Sequence, residues 1–205
     1  HADAYNNLGN AFKDIKDYPR AIRVFSDCIK LDPNNFNAYN NIGMVYESMS
    51  DSDNAISAYK QAVKINPKFS KAINNIGVVL YKQKEYEKSV EIFKISLNVD
   101  PEYTEVYSNL GASLNKTKRY NESIEALSTA IEKMPNHGGA YTNLGNVYNK
   151  IHEYKKAAKL HEKSIELDPK GSNAYSNIGT SYKYLGFSNK AIESYKKAIE
   201  LNPNF

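Results

Sequence analysis

The 205-residue chain has one cysteine, no tryptophan and only three arginines. A single cysteine excludes an intramolecular disulfide framework and a cysteine-based zinc site. Lysine and arginine number 27 against 23 acidic residues, a net charge of +4, and scarce arginine is a poor match to a phosphate-binding surface. No apolar run approaches the ~18 residues of a membrane span, and the first residues resemble no secretory signal. We therefore expect no nucleic-acid or membrane partner and a cytoplasmic or nuclear location.

Glycine and proline recur along the chain with a period of 34 residues. The glycines are Gly9, Gly43, Gly77, Gly111, Gly145 and Gly179. The prolines are Pro33, Pro67, Pro101, Pro135, Pro169 and Pro203. A fixed period of this length is typical of repeat architectures. The sequence therefore predicts one array without insertions, made of the repeats 2–35, 36–69, 70–103, 104–137, 138–171 and 172–205.

Each repeat contains two helical patterns, numbered here from position 1 at the first residue of the repeat. Apolar or small residues follow the i, i+3/i+4 spacing that marks one helix face. In the first repeat, the first pattern contains Ala4, Tyr5, Leu8, Gly9 and Phe12. The second pattern contains Ala21, Ile22, Phe25, Cys28, Ile29 and Leu31. A proline near the repeat end stops the second helix. The sequence predicts an all-α fold of twelve helices in antiparallel pairs.

The pattern Tyr-x-x-Leu-Gly-x-x-Phe…Ala-x-x-x-Phe-x-x-Cys…Pro of the first repeat resembles the tetratricopeptide repeat. This resemblance covers the whole chain and implies a right-handed superhelix, an α-solenoid whose first helices line a concave groove. It also implies a protein–protein interaction module. The chain begins and ends at repeat boundaries without a capping helix, so we expect a fragment of a longer protein. We also expect end-to-end or homodimeric self-association through Ile192, Tyr195 and Ile199 of the last helix.

No constellation for catalysis, metal binding or cofactor binding emerges from the residues. The chain lacks a glycine-rich phosphate loop and a nucleophile–base pair at recognisable spacing. His161 occupies position 24, where other repeats carry Phe25 or Tyr59, so we interpret it as a core histidine. We expect no catalytic residues, no metal, no cofactor and no enzyme activity in this chain.

Asparagine is concentrated on the predicted groove side of the first helices. Of 25 asparagines, 15 fall on positions 2, 5, 6, 9 and 12, although asparagine is a poor helix former. Position 6 is asparagine throughout: Asn7, Asn41, Asn75, Asn109, Asn143 and Asn177. Position 5 adds Asn40 and Asn74 to the candidate peptide-binding residues. One interpretation is an amide row that binds a peptide backbone; the other is a repeat consensus or a structural bond.

Lysines form a second candidate row at position 13, made of Lys82, Lys116 and Lys150. Lys71 lies on the groove side of the third repeat. Together they favour binding of an acidic or phosphorylated segment, and a solvated lysine edge is the alternative.

The repeated Asn-Asn-(Leu/Ile)-Gly is also similar to the repeat region of the O-GlcNAc transferase and SPINDLY family. That resemblance implies a substrate-recognition arm for an O-GlcNAc or O-fucosyl transferase whose catalytic domain lies outside this chain. The alternative is a non-catalytic scaffold or adaptor. A co-chaperone carboxylate clamp matches at Asn10, Asn41 and Lys71 but fails at Asn6 and Asn75, where it requires cations, and we do not expect it.

Overall fold

A computed structural model describes residues 2–203 of the chain, with side-chain surroundings from Ala4 onward. Within this range, twelve α-helices are joined by short turns and no β-strand occurs. The all-α class and the helix pairs predicted from the sequence are confirmed. The chain divides into two compact units, one ending at Tyr103 and one beginning at Thr104. Unit 1 thus contains the first three repeats and unit 2 the last three.

The helices have 12–14 residues and alternate between the first and second helix of each repeat. Unit 1 contains α1 (Ala2–Asp14), α2 (Tyr18–Leu31), α3 (Phe36–Ser48), α4 (Ser52–Ile65), α5 (Ser70–Lys82) and α6 (Tyr86–Val99). Unit 2 contains α7 (Glu105–Lys116), α8 (Tyr120–Lys133), α9 (Gly138–Lys150), α10 (Tyr154–Leu167), α11 (Ser172–Tyr184) and α12 (Ser188–Leu201).

The turn inside each repeat ends the first helix with a residue in the left-handed region. Lys16 has φ of 61°, and the next amide, that of Asp17, donates to the Phe12 carbonyl at 2.8 Å. This six-to-one bond is the Schellman arrangement, in which glycine is the favoured left-handed residue. Only the last repeat uses glycine, at Gly186 with φ of 81°. Asp17 then caps α2 by accepting the Arg20 amide at 3.2 Å.

The turn between repeats is built around an acidic or amide residue placed before proline. Asp32 has an extended backbone, and its carboxylate accepts the Asn34 amide at 3.1 Å across Pro33. The same bond joins Asp168 to the Lys170 amide at 3.1 Å in unit 2. Such local bonds are how Asp and Asn stabilise turns, which explains why this residue type recurs before the proline.

The repeated glycine allows the two helices of a repeat to approach closely. A Cβ on Gly43 would lie 2.5 Å from the Tyr59 ring, and one on Gly145 would lie 2.5 Å from the His161 ring. Real Cβ atoms do not approach ring atoms so closely, so a side chain here would displace the core. In unit 2, α9 also contacts α7 and α11. The first helices of successive repeats therefore form one continuous face of that unit.

Candidate functional site

The position-6 asparagines make hydrogen bonds between repeats. In unit 1, Asn41 Nδ2 donates to Asn6 Oδ1 at 3.4 Å, and Asn75 Nδ2 donates to Asn40 Oδ1 at 3.0 Å. In unit 2, Asn143 Nδ2 lies 3.5 Å from Ser108 Oγ. In each case position 6 donates to position 5 of the preceding repeat. These three amides therefore serve the packing of neighbouring repeats.

The remaining candidate asparagines differ in exposure. Asn40 and Asn74 are buried, with 3% and 5% of their surface exposed, so they offer little surface to a ligand. Asn7 is exposed, and Asn109 is half-buried. The amide row predicted from the sequence is thus divided among buried, inter-repeat and accessible side chains.

Asn177 also occupies position 6, but its side chain does not bond to position 5 of the preceding repeat. The position-5 residue of the preceding repeat is Thr142, whose hydroxyl lies 2.6 Å from Ser164 Oγ. The Asn177 side chain makes no hydrogen bond to any described residue, and it is half-buried at the edge of a pocket. Its donors and acceptor are therefore available to a ligand.

This polar pocket, called the unit-2 pocket below, has a volume of about 500 Å³. The first helices contribute Asn115 and Lys116 from α7, Asn146, Asn149 and Lys150 from α9, and Asn177, Thr180 and Tyr184 from α11. The turn before α10 contributes His152, and α10 begins with the lining residue Tyr154. The pocket thus brings together two of the predicted lysines and one of the predicted asparagines.

Asn149 lines the unit-2 pocket and makes three polar contacts with neighbouring residues. Its Oδ1 accepts the Ser181 hydroxyl at 2.8 Å, and its Nδ2 lies 3.4 Å from the Asn177 carbonyl and 3.4 Å from His161 Nε2. His161 is fully buried, and burial lowers its pKa to about 4. The neutral ring is a core residue, which confirms the sequence-based interpretation.

Asn115 occupies the equivalent position one repeat earlier but lacks the equivalent bond. The residue that would donate to it is Val147, where the next repeat has Ser181. As a result the Asn115 Oδ1 atom is buried and accepts no hydrogen bond from the described residues. A buried acceptor without a partner is costly to the folded chain.

The candidate lysines of the two units differ in whether they form an ion pair. In unit 1, Lys82 forms an ion pair of 2.5 Å with Glu47, which also accepts the Tyr59 hydroxyl at 2.9 Å. Burial and the Glu47 charge raise the pKa of Tyr59. In unit 2, Lys116 and Lys150 are exposed and form no ion pair with a described residue. Lys71 is also exposed, outside the unit-2 pocket.

The difference between Lys82 and Lys150 follows from the residue at position 12 of the preceding repeat. Glu47 stands at position 12 of the repeat before Lys82, and Asn115 stands at position 12 of the repeat before Lys150. A neutral amide replaces the carboxylate, so Lys150 lacks the partner that Lys82 has. Around Lys82 a smaller pocket of about 230 Å³ is lined by Met44, Glu47 and Asn75, with the lysine charge compensated.

Aromatic residues on one side of the unit-2 pocket were not predicted from the sequence. The rings of Tyr154 and Tyr184 stack at 4.5 Å with an angle of 8° between them. Tyr184 remains 61% exposed, and a 2.6 Å hydrogen bond joins the Tyr154 hydroxyl to His152 Nδ1. The only available signal was that Tyr184 occupies position 13, where the lysine row of the preceding repeats ends.

Family models named tetratricopeptide repeat match the chain in consecutive segments. One model matches residues 2–35, 36–69 and 172–205, a second matches 102–170, and a third matches 70–103. A search of curated proteins found no match. Nothing in these matches points specifically to the O-GlcNAc transferase and SPINDLY family.

Several solved structures are similar to this chain. A crystal structure of MamA is 30% identical, with a TM-score of 0.68, covering 79% of this chain and 95% of that one. YrrB, a tetratricopeptide-repeat protein with an unusual peptide-binding site, is 23% identical, with a TM-score of 0.67 over 88% of this chain and 93% of that one. The pilF protein of Pseudomonas aeruginosa is 19% identical, with a TM-score of 0.85 over 100% and 93%.

Other features of the described residues bear on the class of function. No described helix has the length and apolarity needed to cross a membrane. The described side chains also form no cluster of three His, Cys, Asp or Glu residues of the kind that holds a metal. Tetratricopeptide repeats are typically non-catalytic and bind protein partners. This chain belongs to the tetratricopeptide repeat family, and it is a protein–protein interaction module.

Proposed function

We propose that the chain is a non-catalytic scaffold that binds an extended segment of a partner protein in the unit-2 pocket. The observation that carries this proposal is the pair of amide side chains of Asn146 and Asn177. Both line the pocket, and neither is hydrogen-bonded to a described residue. They lie on the continuous face formed by α7, α9 and α11.

Primary amides suit an extended backbone because each offers two donor hydrogens and an acceptor oxygen. Asn146 and Asn177 lie in successive repeats, so they can contact the segment at two places along its length. This arrangement binds a chain by its backbone and leaves specificity to the surrounding charges and rings.

The likeness to YrrB, which has an unusual peptide-binding site, agrees with a peptide ligand at the level of the fold. A recognition arm for a glycosyltransferase rested on a uniform asparagine row. Because Asn41, Asn75 and Asn143 make inter-repeat bonds, the scaffold is the function that we propose.

The test is a selection of random linear peptides displayed on phage against the whole chain. The best binders are then synthesised and measured by fluorescence anisotropy. The double variant Asn146→Ala/Asn177→Ala should lower the affinity for these peptides by about tenfold or more, because two hydrogen bonds to the bound peptide contribute roughly 1–3 kcal/mol. The variant should keep the melting temperature of the parent, since neither side chain bonds to the protein.

The matched control is Asn41→Ala/Asn75→Ala, which removes two primary amides from unit 1. It should lower the melting temperature, because inter-repeat bonds are lost, and leave peptide affinity within about twofold. The proposal is wrong if no linear peptide is selected. It is also wrong if the pocket variant retains parental affinity for the selected peptides.

A further inference from the structure

The charges in the unit-2 pocket indicate which chemical class of ligand it binds. Its described lining holds two lysines, Lys116 and Lys150, and no aspartate or glutamate. Exposed lysines of the second helices commonly pair with a carboxylate three residues away, as Lys163 does with Glu166 at 2.8 Å. The pocket is therefore a place where positive charge is concentrated without compensation by described residues.

Resting on the proposed function, we infer that the unit-2 pocket binds a phosphorylated side chain of the partner segment, with Lys116 and Lys150 as its cationic contacts. A phosphomonoester carries a charge of about −1.5 to −2 at neutral pH and three strong acceptor oxygens. It therefore balances both lysines, whereas one carboxylate balances only one of them. The neutral donors around the lysines suit the same group.

Those neutral donors are the Asn146 and Asn177 amides, both in the lining of the pocket and neither bonded to a described residue. The Thr180 hydroxyl, also in the lining, already donates to the Ser176 carbonyl at 3.3 Å. Hydrogen bonds to an ionised acceptor are about twice as strong as neutral ones. Two cations and two neutral amides thus suit the acceptor oxygens of one phosphate group.

Tyr184 decides which phosphorylated residue fits best. Tyr154 covers one side of its ring by stacking, and the ring is still 61% exposed. An aromatic ligand ring contacts such a surface favourably. Phosphotyrosine would use both the lysines and this ring, and phosphoserine would use the lysines alone.

The test uses short fluorescein-labelled peptides with uncharged flanking residues and a central serine, phosphoserine, glutamate or phosphotyrosine. Binding to the whole chain is measured by anisotropy at fixed salt, with inorganic phosphate as a competitor. Each phosphopeptide should bind about tenfold or more tightly than the serine peptide. The variant Lys116→Gln/Lys150→Gln should remove that advantage. Tyr184→Ala should weaken the phosphotyrosine peptide and spare the phosphoserine peptide.

The matched control is Lys155→Gln/Lys159→Gln, which makes the same charge change at exposed lysines of α10 outside the pocket. It should leave phosphopeptide binding within about twofold. Equal binding of the glutamate peptide overturns the inference, as does an equal loss in the control variant. Inorganic phosphate binding as tightly as the phosphopeptides would overturn the role of the partner segment. If selected unphosphorylated peptides bind through Asn146 and Asn177 while phosphate has no effect, the proposed function stands and this inference fails.

Discussion

Gly77→Ala adds one methyl group to α5 where the helix faces the ring of Phe93. An ideal Cβ would lie 2.6 Å from Phe93 Cε1 and 2.8 Å from Cδ1, against about 3.5–4.0 Å for a normal carbon contact. Phe93 is only 1% exposed, and protein interiors are close-packed, so the ring can shift only by displacing its neighbours. Overpacking of this kind costs about 1–3 kcal/mol, and the better helix propensity of alanine returns up to ~1 kcal/mol.

We expect Gly77→Ala to lose about 1–2 kcal/mol, because several ring atoms overlap the methyl group at once. That loss corresponds to a fall in melting temperature of roughly 2–8 °C for a chain of this size. Thermal unfolding followed by far-ultraviolet circular dichroism measures it. Gly139→Ala is the control, since its Cβ would meet only the His137 ring at 3.4 Å on the surface. It should be neutral or stabilising.

A double-mutant cycle tests the cause of the loss. In a Phe93→Ala background the overlapping ring atoms are gone, so adding Gly77→Ala should be neutral or stabilising. The two changes would then show a coupling energy of the same size as the loss in the parent. If Gly77→Ala stabilises the parent as much as Gly139→Ala does, or if the cycle shows no coupling, the close-approach argument is wrong.

Three further predictions concern stability and assembly. Burial lowers the pKa of His161 to about 4, so the imidazole binds a proton more readily in the unfolded chain than in the folded one. Stability should therefore fall as pH drops from about 6.5 toward 4. In His161→Phe the melting temperature should fall less over that range. Gly186→Ala should destabilise the chain by about 1 kcal/mol and so lower its melting temperature, and Lys118→Gly should raise the melting temperature. Both sites have positive φ, 81° and 61°, which glycine adopts at less cost than other residues. Of the three residues expected to expose an apolar face, Tyr195 is instead half-buried, with its ring packed against Gly179. The chain should self-associate in sedimentation velocity through Ile192 and Ile199, which are 52% and 58% exposed. Ile192→Lys/Ile199→Lys should be monomeric, and a monomeric parent would contradict the prediction.

The helices and their pairing could be predicted because local chemistry repeats with the same period as the structure. Glycine at position 8 and proline at the repeat end each act within one repeat, so a sequence period alone places them. The role of an asparagine at position 6 depends instead on position 5 of the preceding repeat and on what else contacts that residue. Thr142 is a potential acceptor, but its hydroxyl lies 2.6 Å from Ser164 Oγ and makes no bond to Asn177, and no pattern within a repeat indicates this.

The charge environment of the lysines also could not be predicted from a single repeat. Lys82 and Lys150 occupy the same position, and their charges differ in compensation because Glu47 and Asn115 stand in neighbouring repeats. The stacking of Tyr154 on Tyr184 also joins two repeats. The binding character of the unit-2 pocket is therefore a property of repeat neighbours, and a search within single repeats does not detect it.

The bonds from position 6 to position 5 always span 35 residues, as from Asn41 to Asn6 and from Asn75 to Asn40. Deleting residues 36–69 as a unit would bring Asn75 opposite Asn6, so the same kind of amide pair would form again. Deleting a few residues inside a repeat would instead misalign every pair that crosses it. Gene rearrangements that add or remove whole repeats are thus tolerated at these contacts, and the length of the array can change in steps of 34 residues.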